Sequence, residues 1–233
     1  MKPEATASQR HPAPSLTGRA GGGSLNPPRG HLTGIYGGSF NPVHLGHTQL
    51  AGWLLARGYV EELWLLVTPQ NPLKAEMDLL PDDIRLWLTK LALTQLRTDP
   101  ASGFQFHKSR LHVNDIEFKL PRPSYMANTL ATLRTRYKSR EFVLIIGSDN
   151  WKNFGRWYRS DEILQHHRLI IYPRRDYDVD PATLPEGVTL ADTPYIDLSS
   201  TAIREAIRTN PDYDGEGLAS KVWEAIQQFG YYK

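Results

Sequence analysis

Residues 34–47 read GIYGGSFNPVHLGH, and this stretch decides how the rest of the chain is interpreted. Ile35 and Tyr36 predict the end of a strand, and the glycine pair after them predicts a tight turn. From Leu45 onward the pattern of apolar residues is helical. A strand end, a glycine turn and a helix start form the geometry in which backbone N–H groups bind a phosphate. The stretch therefore predicts a phosphate site at a helix N-terminus.

Two histidines lie in the same stretch. His44 and His47 are three residues apart, so both face one side of the first helical turn. Imidazoles can donate hydrogen bonds to charge that develops on phosphate oxygens, and Gly46 would let a phosphate approach closely. A zinc site and a plain tight turn with two partly buried histidines are the alternatives. Zinc is disfavoured because the chain has no cysteine and no carboxylate at metal-ligand spacing.

Composition predicts one folded domain with an N-terminal extension. The chain has 233 residues, of which 40% are hydrophobic, and this is enough to bury one sizeable core. Residues 1–31 hold five Gly and five Pro, with no aromatic residue, Val or Ile. Such a segment cannot bury enough apolar surface to offset the entropy of ordering it. We therefore expect a disordered extension at 1–31 and a single domain at 32–233.

Charge and apolar patterning exclude several classes of protein. The formal net charge is +2, and the extension alone has a surplus of three positive charges, so the predicted domain is close to neutral. This argues against a nucleic-acid partner bound by phosphate neutralisation. The absence of cysteine excludes disulfides and thiol catalysis. No apolar run reaches membrane-spanning length and no apolar signal segment follows Met1, so we expect a cytoplasmic protein without a membrane partner.

Predicted strands and helices alternate along the chain. Strands are predicted at 33–37, 63–68, 104–107, 142–146 and 169–172, with one more leading to Ile196. Helices are predicted at 45–57, from Pro81, from a Ser124 cap to Tyr137, within 151–165, at 201–208 after a Ser199 cap, and at 218–229. Continuous apolar strands between helices predict an α/β fold: a Rossmann-like, doubly wound parallel sheet with helices on both faces and a small C-terminal helical part.

The unusual motifs all follow predicted strands. They cover residues 37–47, 68–74, 147–158 and 198–204. Ligands of such sheets bind outside the carboxyl ends of the strands, at the point where the strand order reverses. The four segments therefore predict a single composite site.

The first motif resembles the His-x-Gly-His signature of the nucleotidylyltransferase superfamily, and residues 198–204, LSSTAIR, resemble its second signature. The resemblance implies a Rossmann-like fold and transfer of a nucleotide unit from a nucleoside triphosphate. Residues 68–74 (TPQNPLK), 123–130 (PSYMANTL), 147–149 (GSD) and the Trp157-Tyr158 pair resemble the nicotinate-nucleotide adenylyltransferases. That family transfers AMP from ATP to nicotinate mononucleotide, giving deamido-NAD and pyrophosphate in NAD biosynthesis, with Mg²⁺.

The resemblance, which spans Thr33 to Arg208, also implies roles for particular residues. Catalysis is expected from His44, His47, Arg204 and Lys74. ATP is expected to contact Gly37, Gly38, Ser39, Phe40, His44, His47, Gly147, Ser199, Ser200, Thr201 and Arg204. Nicotinate mononucleotide is expected to contact Asn41, Ser124, Tyr125, Met126, Asp149, Trp157 and Tyr158. Mg²⁺ is expected to bind through the phosphates of ATP rather than through protein side chains.

Some alternatives stay open from the sequence. The family usually has Thr where this chain has Met126, so nicotinamide mononucleotide is a second candidate acceptor. Other candidates are an enzyme acting on phosphopantetheine, a non-catalytic nucleotide sensor and a class I aminoacyl-tRNA synthetase fragment. Trp157 could be plain core, Asp149 a helix cap and Lys74 a solvated loop residue. The oligomeric state is open, a homo-oligomer included.

Overall fold

A computed structural model describes residues 31–69, 79–96 and 108–233. In these ranges six strands form one sheet, in the order β3-β2-β1-β4-β5-β6, and neighbouring strands run parallel. The strands are β1 (His31–Gly38), β2 (Glu62–Val67), β3 (Leu111–Asn114), β4 (Arg140–Gly147), β5 (Arg168–Tyr172) and β6 (Val188–Leu190). The predicted parallel α/β sheet is confirmed.

Helices connect these strands and cover the sheet. They are α1 (Leu45–Ala56), α2 (Asp82–Thr94), α3 (Met126–Arg136), α4 (Ser148–Trp151), α5 (Ser160–His166), α6 (Ser200–Thr209) and α7 (Ser220–Phe229). Short 3₁₀ turns lie at Lys108–Arg110, Ile116–Lys119, Phe154–Arg156 and Pro181–Thr183. No helix in the described part of the chain is long and apolar enough to cross a membrane.

The central strands are buried on both faces, which explains their continuous apolar sequences. Successive side chains of a strand point to opposite faces. In β1, Tyr36 therefore joins the core cluster that includes α1 and α7, whereas Ile35 joins the cluster that includes α3 and α5. All six residues of β2 are buried. The sheet accordingly separates two apolar layers, as the alternating pattern predicts.

The strand order places the first motif at the switch point of the sheet. β1 lies between β2 and β4; the chain leaves β1 toward β2 on one side, whereas it leaves β4 toward β5 on the other. Crossover connections from β1 and β4 therefore diverge and leave a crevice beyond the carboxyl ends of these two strands. The loop at 38–44 and the short helix α4 both begin at this crevice.

Several predicted boundaries were wrong, and packing explains one of them. Ile196 does not end a strand, because β6 stops at Leu190; its side chain packs instead where Gly46 has no side chain, 2.4 Å from the place of an added Cβ. Ser124 does not cap α3. The N-cap is Tyr125, and the Ser124 hydroxyl is buried without a partner.

Other predictions concern the ends and gaps of the described ranges. His31, predicted as the last residue of the extension, is the first residue of β1. The third strand lies at Leu111–Asn114, where a loop was predicted. The strand predicted at 104–107, residues 1–30 of the predicted extension and Lys74 lie outside the described residues.

Candidate active site

The loop after β1 turns sharply before α1 begins. Phe40 has a left-handed backbone, with φ of 45°, and its side chain is only 1% exposed. The Phe40 ring packs edge-on against Tyr36 and His47, with centroid distances of 5.9 and 4.9 Å. Burial of this one aromatic ring therefore anchors the loop whose backbone faces the crevice.

His44 and His47 form a stacked pair at the start of α1. Their ring centroids lie 3.6 Å apart, and His44 is the N-cap residue of the helix. The backbone N–H of His44 donates to Nδ1 of His47 at 3.1 Å. An Nδ1 that accepts a hydrogen bond carries no proton, so the neutral His47 ring carries its proton on Nε2. The helix start thus fixes the tautomer of His47.

Both imidazoles are neutral in the ligand-free protein. Burial, followed by the positive charge of Arg174, lowers the pKa of His44 from 6.5 to about 3. Burial, followed by His44 and Arg174, lowers the pKa of His47 well below its usual value. Protonated imidazoles would add positive potential to the site. Without a bound anion the two histidines offer neutral N–H donors instead, because charging them would require solvation that the site does not provide.

Helix α6 brings Arg204 against the first motif. Its N-cap Ser199 accepts a hydrogen bond from the backbone of Ala202 at 3.5 Å, as predicted. The Arg204 Nη1 donates to the carbonyl of Asn41 at 2.7 Å, and the Ser200 hydroxyl donates to the carbonyl of Pro42 at 2.9 Å. These bonds join the two signature motifs. The Nε of Arg204 stays buried without a partner.

Asn41 is not among the residues that line the cavity, and its predicted contact with the acceptor stays a prediction. It is 0% exposed, and its Oδ1 accepts hydrogen bonds from the Leu80 backbone at 3.2 Å and from the Tyr232 hydroxyl at 2.8 Å. Its carbonyl accepts from Arg204. Through its side chain and its backbone carbonyl Asn41 connects its own loop to three other segments of the chain, and so it holds the loop in place.

A second wall of the cavity comes from the loop before α3 and from the segment after β4. The Tyr125 and Tyr158 rings lie 4.6 Å apart, and Tyr158 is 49% exposed, so this pair forms the rim. Trp157 packs against Phe154 at 5.3 Å and also lines the cavity. Trp157 packs against the core and is only partly buried, so part of its side chain lines the cavity.

Gly147 and Asp149 occupy the end of β4. A Cβ at position 147 would lie 2.2 Å from Oδ1 of Asp149, so only glycine lets this carboxylate fold back over the strand end. That Oδ1 is buried without a hydrogen-bond partner, and the Nε of Arg174 lies 3.9 Å away. Asp149 therefore has an acceptor atom available to a ligand.

Arg174 and Arg85 are two site residues that the sequence interpretation missed. Arg174 follows β5, lines the cavity and lies over the Tyr172 ring at 5.6 Å. Its position directly after a predicted strand was a signal that could have found it. Arg85 is 0% exposed and donates to the carbonyls of Ser39 and Thr68, at 2.5 and 2.8 Å. It thereby ties the loops after β1 and β2 together.

One cavity of about 570 Å³ collects these groups. Of the predicted site residues that the structure describes, all except Asn41 line it, namely Gly37, Gly38, Ser39, Phe40, His44, His47, Ser124, Tyr125, Met126, Gly147, Asp149, Trp157, Tyr158, Ser199, Ser200, Thr201 and Arg204. In the described part of the chain, six side chains have a buried polar atom without a partner, and five of these line this cavity: His44, Glu117, Ser124, Asp149 and Arg204. Buried polar atoms are normally paired, so this concentration indicates a ligand site.

Comparisons with known proteins agree with this geometry. The sequence profile of the cytidylyltransferase-like family matches residues 35–206, and these include both signature motifs. The chain is 45% identical over 197 residues to the "Probable nicotinate-nucleotide adenylyltransferase" of Bacteroides thetaiotaomicron, a match covering 84% of this chain and 91% of the relative. The chain belongs to the nicotinate-nucleotide adenylyltransferases of the cytidylyltransferase-like family.

Further relatives support the same family. The chain is 46% identical over 180 residues to the protein of the same name from Bacteroides fragilis, a match covering 77% of this chain and 84% of the relative. Among solved structures, the nicotinic acid mononucleotide adenylyltransferase of Plasmodium falciparum, complexed with NaAD, aligns with a TM-score of 0.72. That alignment covers 87% of this chain and 97% of the other, at 17% identity, and so it supports the fold.

Proposed function

We propose that this protein transfers AMP from ATP to nicotinate mononucleotide, giving deamido-NAD and pyrophosphate, as a step of NAD biosynthesis. The observation that carries the proposal is the single cavity that joins both nucleotidyltransferase motifs to the 124–126 and 149–158 segments. The family of the chain supports the reaction type. The names of its relatives support the acceptor.

The bond changes follow from the chemistry of phosphates. An oxygen of the acceptor 5′-phosphate attacks the α-phosphorus of ATP, forming a P–O–P bond. The bond from that phosphorus to the bridging oxygen of the β-phosphate breaks, and pyrophosphate leaves with the electron pair. The acceptor phosphate has a second pKa of about 6 and is already largely ionised near neutral pH, so the reaction needs no general base. Catalysis then consists of aligning two anions and stabilising the charge that moves onto the leaving group.

The described residues divide this task. His44 and His47 donate neutral N–H groups to the α-phosphate at the start of α1, where the helix N-terminus adds favourable potential. Arg204 serves the leaving pyrophosphate, because a guanidinium can bind two phosphate oxygens at once. Arg174, close enough to lower the pKa of both histidines, supplies a further positive charge on the same side of the cavity.

The acceptor occupies the other wall. Trp157 stacks on the pyridine ring, Asp149 accepts from ribose hydroxyls through its free oxygen, and the start of α3 receives the carboxylate. The side chain of Met126 supplies no hydroxyl. It lies close to Gly37, because a Cβ added at Gly37 would be 2.9 Å from the terminal carbon of Met126. The carboxylate therefore depends on backbone N–H groups of the helix start and on the Ser124 hydroxyl.

The metal cofactor of the reaction is Mg²⁺, which binds through the phosphates of ATP. In the described ranges no group of three or more His, Asp or Glu side chains is placed to hold a metal ion. When bound, Mg²⁺ neutralises phosphate charge. Lys74 remains a predicted phosphate contact outside the described residues. A cytoplasmic location remains a prediction as well.

The proposal is tested by supplying ATP and Mg²⁺ with three acceptors in parallel: nicotinate mononucleotide, nicotinamide mononucleotide and phosphopantetheine. Dinucleotide and pyrophosphate are quantified separately. We expect the highest kcat/KM with nicotinate mononucleotide and loss of turnover in Arg204→Ala, with the exposed His166→Ala variant as an unaffected control. Activity with phosphopantetheine alone would show that phosphopantetheine, and not nicotinate mononucleotide, is the acceptor. Binding of ATP with no product from any acceptor would favour a nucleotide sensor.

A further inference from the structure

Glu117 is a buried carboxyl group that the roles above leave unused. It lies in the 3₁₀ turn Ile116–Lys119, is 2% exposed and lines the cavity. Its Oε1 accepts a hydrogen bond from the Thr129 hydroxyl at 2.7 Å, whereas its Oε2 is buried without a partner. Ionisation would leave a buried, charged oxygen without a protein donor. Burial accordingly raises the pKa of Glu117 to about 7, against a smaller lowering by the Thr129 hydrogen bond.

The Thr129 hydroxyl connects Glu117 to the start of α3. It lies 2.7 Å from Glu117 Oε1 and 3.3 Å from the carbonyl of Tyr125, the N-cap residue. A hydroxyl has one proton, so it can donate to only one of these acceptors at a time. An ionised Glu117 accepts the hydrogen bond from the Thr129 hydroxyl. A protonated Glu117 can instead donate to the hydroxyl oxygen, and the Thr129 proton then turns to the Tyr125 carbonyl.

The same helix start is where the substrate carboxylate is proposed to bind. The first turn of α3 carries no acidic residue, and the Ser124 hydroxyl beside it is buried without a partner. The backbone N–H groups of a helix start favour one negative charge. An ionised Glu117 would compete for this potential and repel a second carboxylate. A neutral Glu117 would do neither.

We propose that Glu117 is the specificity residue for the acceptor: protonated, it admits the nicotinate carboxylate at the start of α3, and ionised, it opposes that carboxylate while tolerating an uncharged carboxamide. The inference rests on the proposed adenylyltransferase function and adds to it a rule for acceptor choice that changes with pH.

Other ionisable groups near Glu117 act on both acceptors alike. On its own turn, Asp115 and Lys119 are exposed and pair with each other at 3.3 Å. From α3 it meets the uncharged Thr129. Across the cavity lie His44, His47, Asp149, Arg156, Arg174 and Arg204, besides four tyrosines. These groups, and the acceptor phosphate, are the same in wild type and in a Glu117 variant. The ratio of the two enzymes therefore isolates Glu117.

The experiment compares wild type with Glu117→Gln, which stays neutral at every pH. Steady-state kcat/KM is measured for nicotinate and nicotinamide mononucleotide from pH 6.5 to 8.5, with Asp115→Asn as a matched control on the same turn. If the charges of Glu117 and of the nicotinate carboxylate shift each other's pKa by about one unit, kcat/KM changes by about tenfold. We expect the wild-type to Glu117→Gln ratio for the nicotinate acceptor to fall about tenfold across this range. For the nicotinamide acceptor this ratio should not change with pH. The kcat/KM of Asp115→Asn should show the same pH dependence as that of wild type.

A ratio independent of pH for the nicotinate acceptor would overturn the inference. If Glu117→Gln does not fold, Thr129→Val replaces it. This variant removes the hydrogen bond that lowers the pKa of Glu117, so the fall in kcat/KM for the nicotinate acceptor should occur at higher pH than in wild type. A fall at the same pH as in wild type would also overturn the inference. Failure of the proposed function is distinguishable, because wild type would then turn over neither pyridine mononucleotide at any pH.

Discussion

Replacing Arg85 with Met tests whether one buried side chain holds the cavity loops together. The guanidinium donates to the backbone carbonyls of Ser39, Thr68, Pro69 and Leu80. It also pairs with the carboxylate of Asp82 at 2.5 Å. Met fills similar space but donates nothing, so four acceptors lose a partner at about 1 kcal/mol each. Asp82 adds little, because it is partly exposed and also accepts from Arg122. The expected loss of about 4 kcal/mol is a large part of the roughly 5–15 kcal/mol that stabilises a folded protein.

Urea unfolding measured by tryptophan fluorescence checks this magnitude. With a slope of about 2 kcal/mol per molar, Arg85→Met should lower the midpoint by about 2 M. Arg85→Lys is the matched control, because its ammonium keeps the charge and three donors and should cost about half as much. A Met variant whose midpoint stays within about 0.5 M of wild type would refute the reasoning. Equal losses in the Met and Lys variants would show that counting donors is the wrong measure.

Three further predictions follow from the site. His47→Ala should lower kcat by about 10²–10³-fold, with a much smaller change in either KM, because the lost donor acts on charge that develops in the transition state; unchanged kcat would remove His47 from catalysis. Gly46→Ala should lower the urea midpoint, since its Cβ would lie 2.4 Å from a neighbouring isoleucine, while Gly155→Ala, with nothing within 4 Å, should not. The folded-state pKa values of about 3 for His44 and about 4 for His167 lie below the ordinary 6.5. The unfolded chain therefore takes up protons first as pH falls, and lowering pH from 7 to 5 should cost about 2 kcal/mol per histidine. His47, whose pKa is also lowered, adds a similar loss, so His167→Gln should recover about a third of the total in urea melts at the two pH values, and equal midpoints for wild type at pH 7 and 5 would contradict it.

The sequence predicted most of the strands and helices because their signals are local. The apolar runs at 63–68, 142–146 and 169–172 each became a buried parallel strand within a residue or two. Glycine turns and the Ser199 cap also act over a few residues, and these predictions held. The wrong predictions involve packing partners far away in the chain. Ile196 looks like a strand end because it is apolar, but it is apolar because it packs on Gly46 of α1.

The candidate site divides in the same way. His44, His47 and the 147–149 turn have their geometry imposed by their own strand end or helix start, so a motif was enough to find them. Arg85 and Glu117 have nothing unusual beside them in sequence, and the motif around Asn41 does not reveal its distant partners. Asn41 is tied to Arg204 and Tyr232, which are 163 and 191 residues away.

The amino-acid sequence by itself determined the parallel sheet and the glycine turn before α1, because each depends on backbone geometry that neighbouring residues dictate, and the family resemblance of its motifs implied the type of reaction. Only the tertiary structure decided which polar atoms remain unpaired, that the two histidines are neutral, and that Glu117 lies buried beside the start of α3. Those properties depend on burial and on the nearest charges, and both are set by segments that folding brings together.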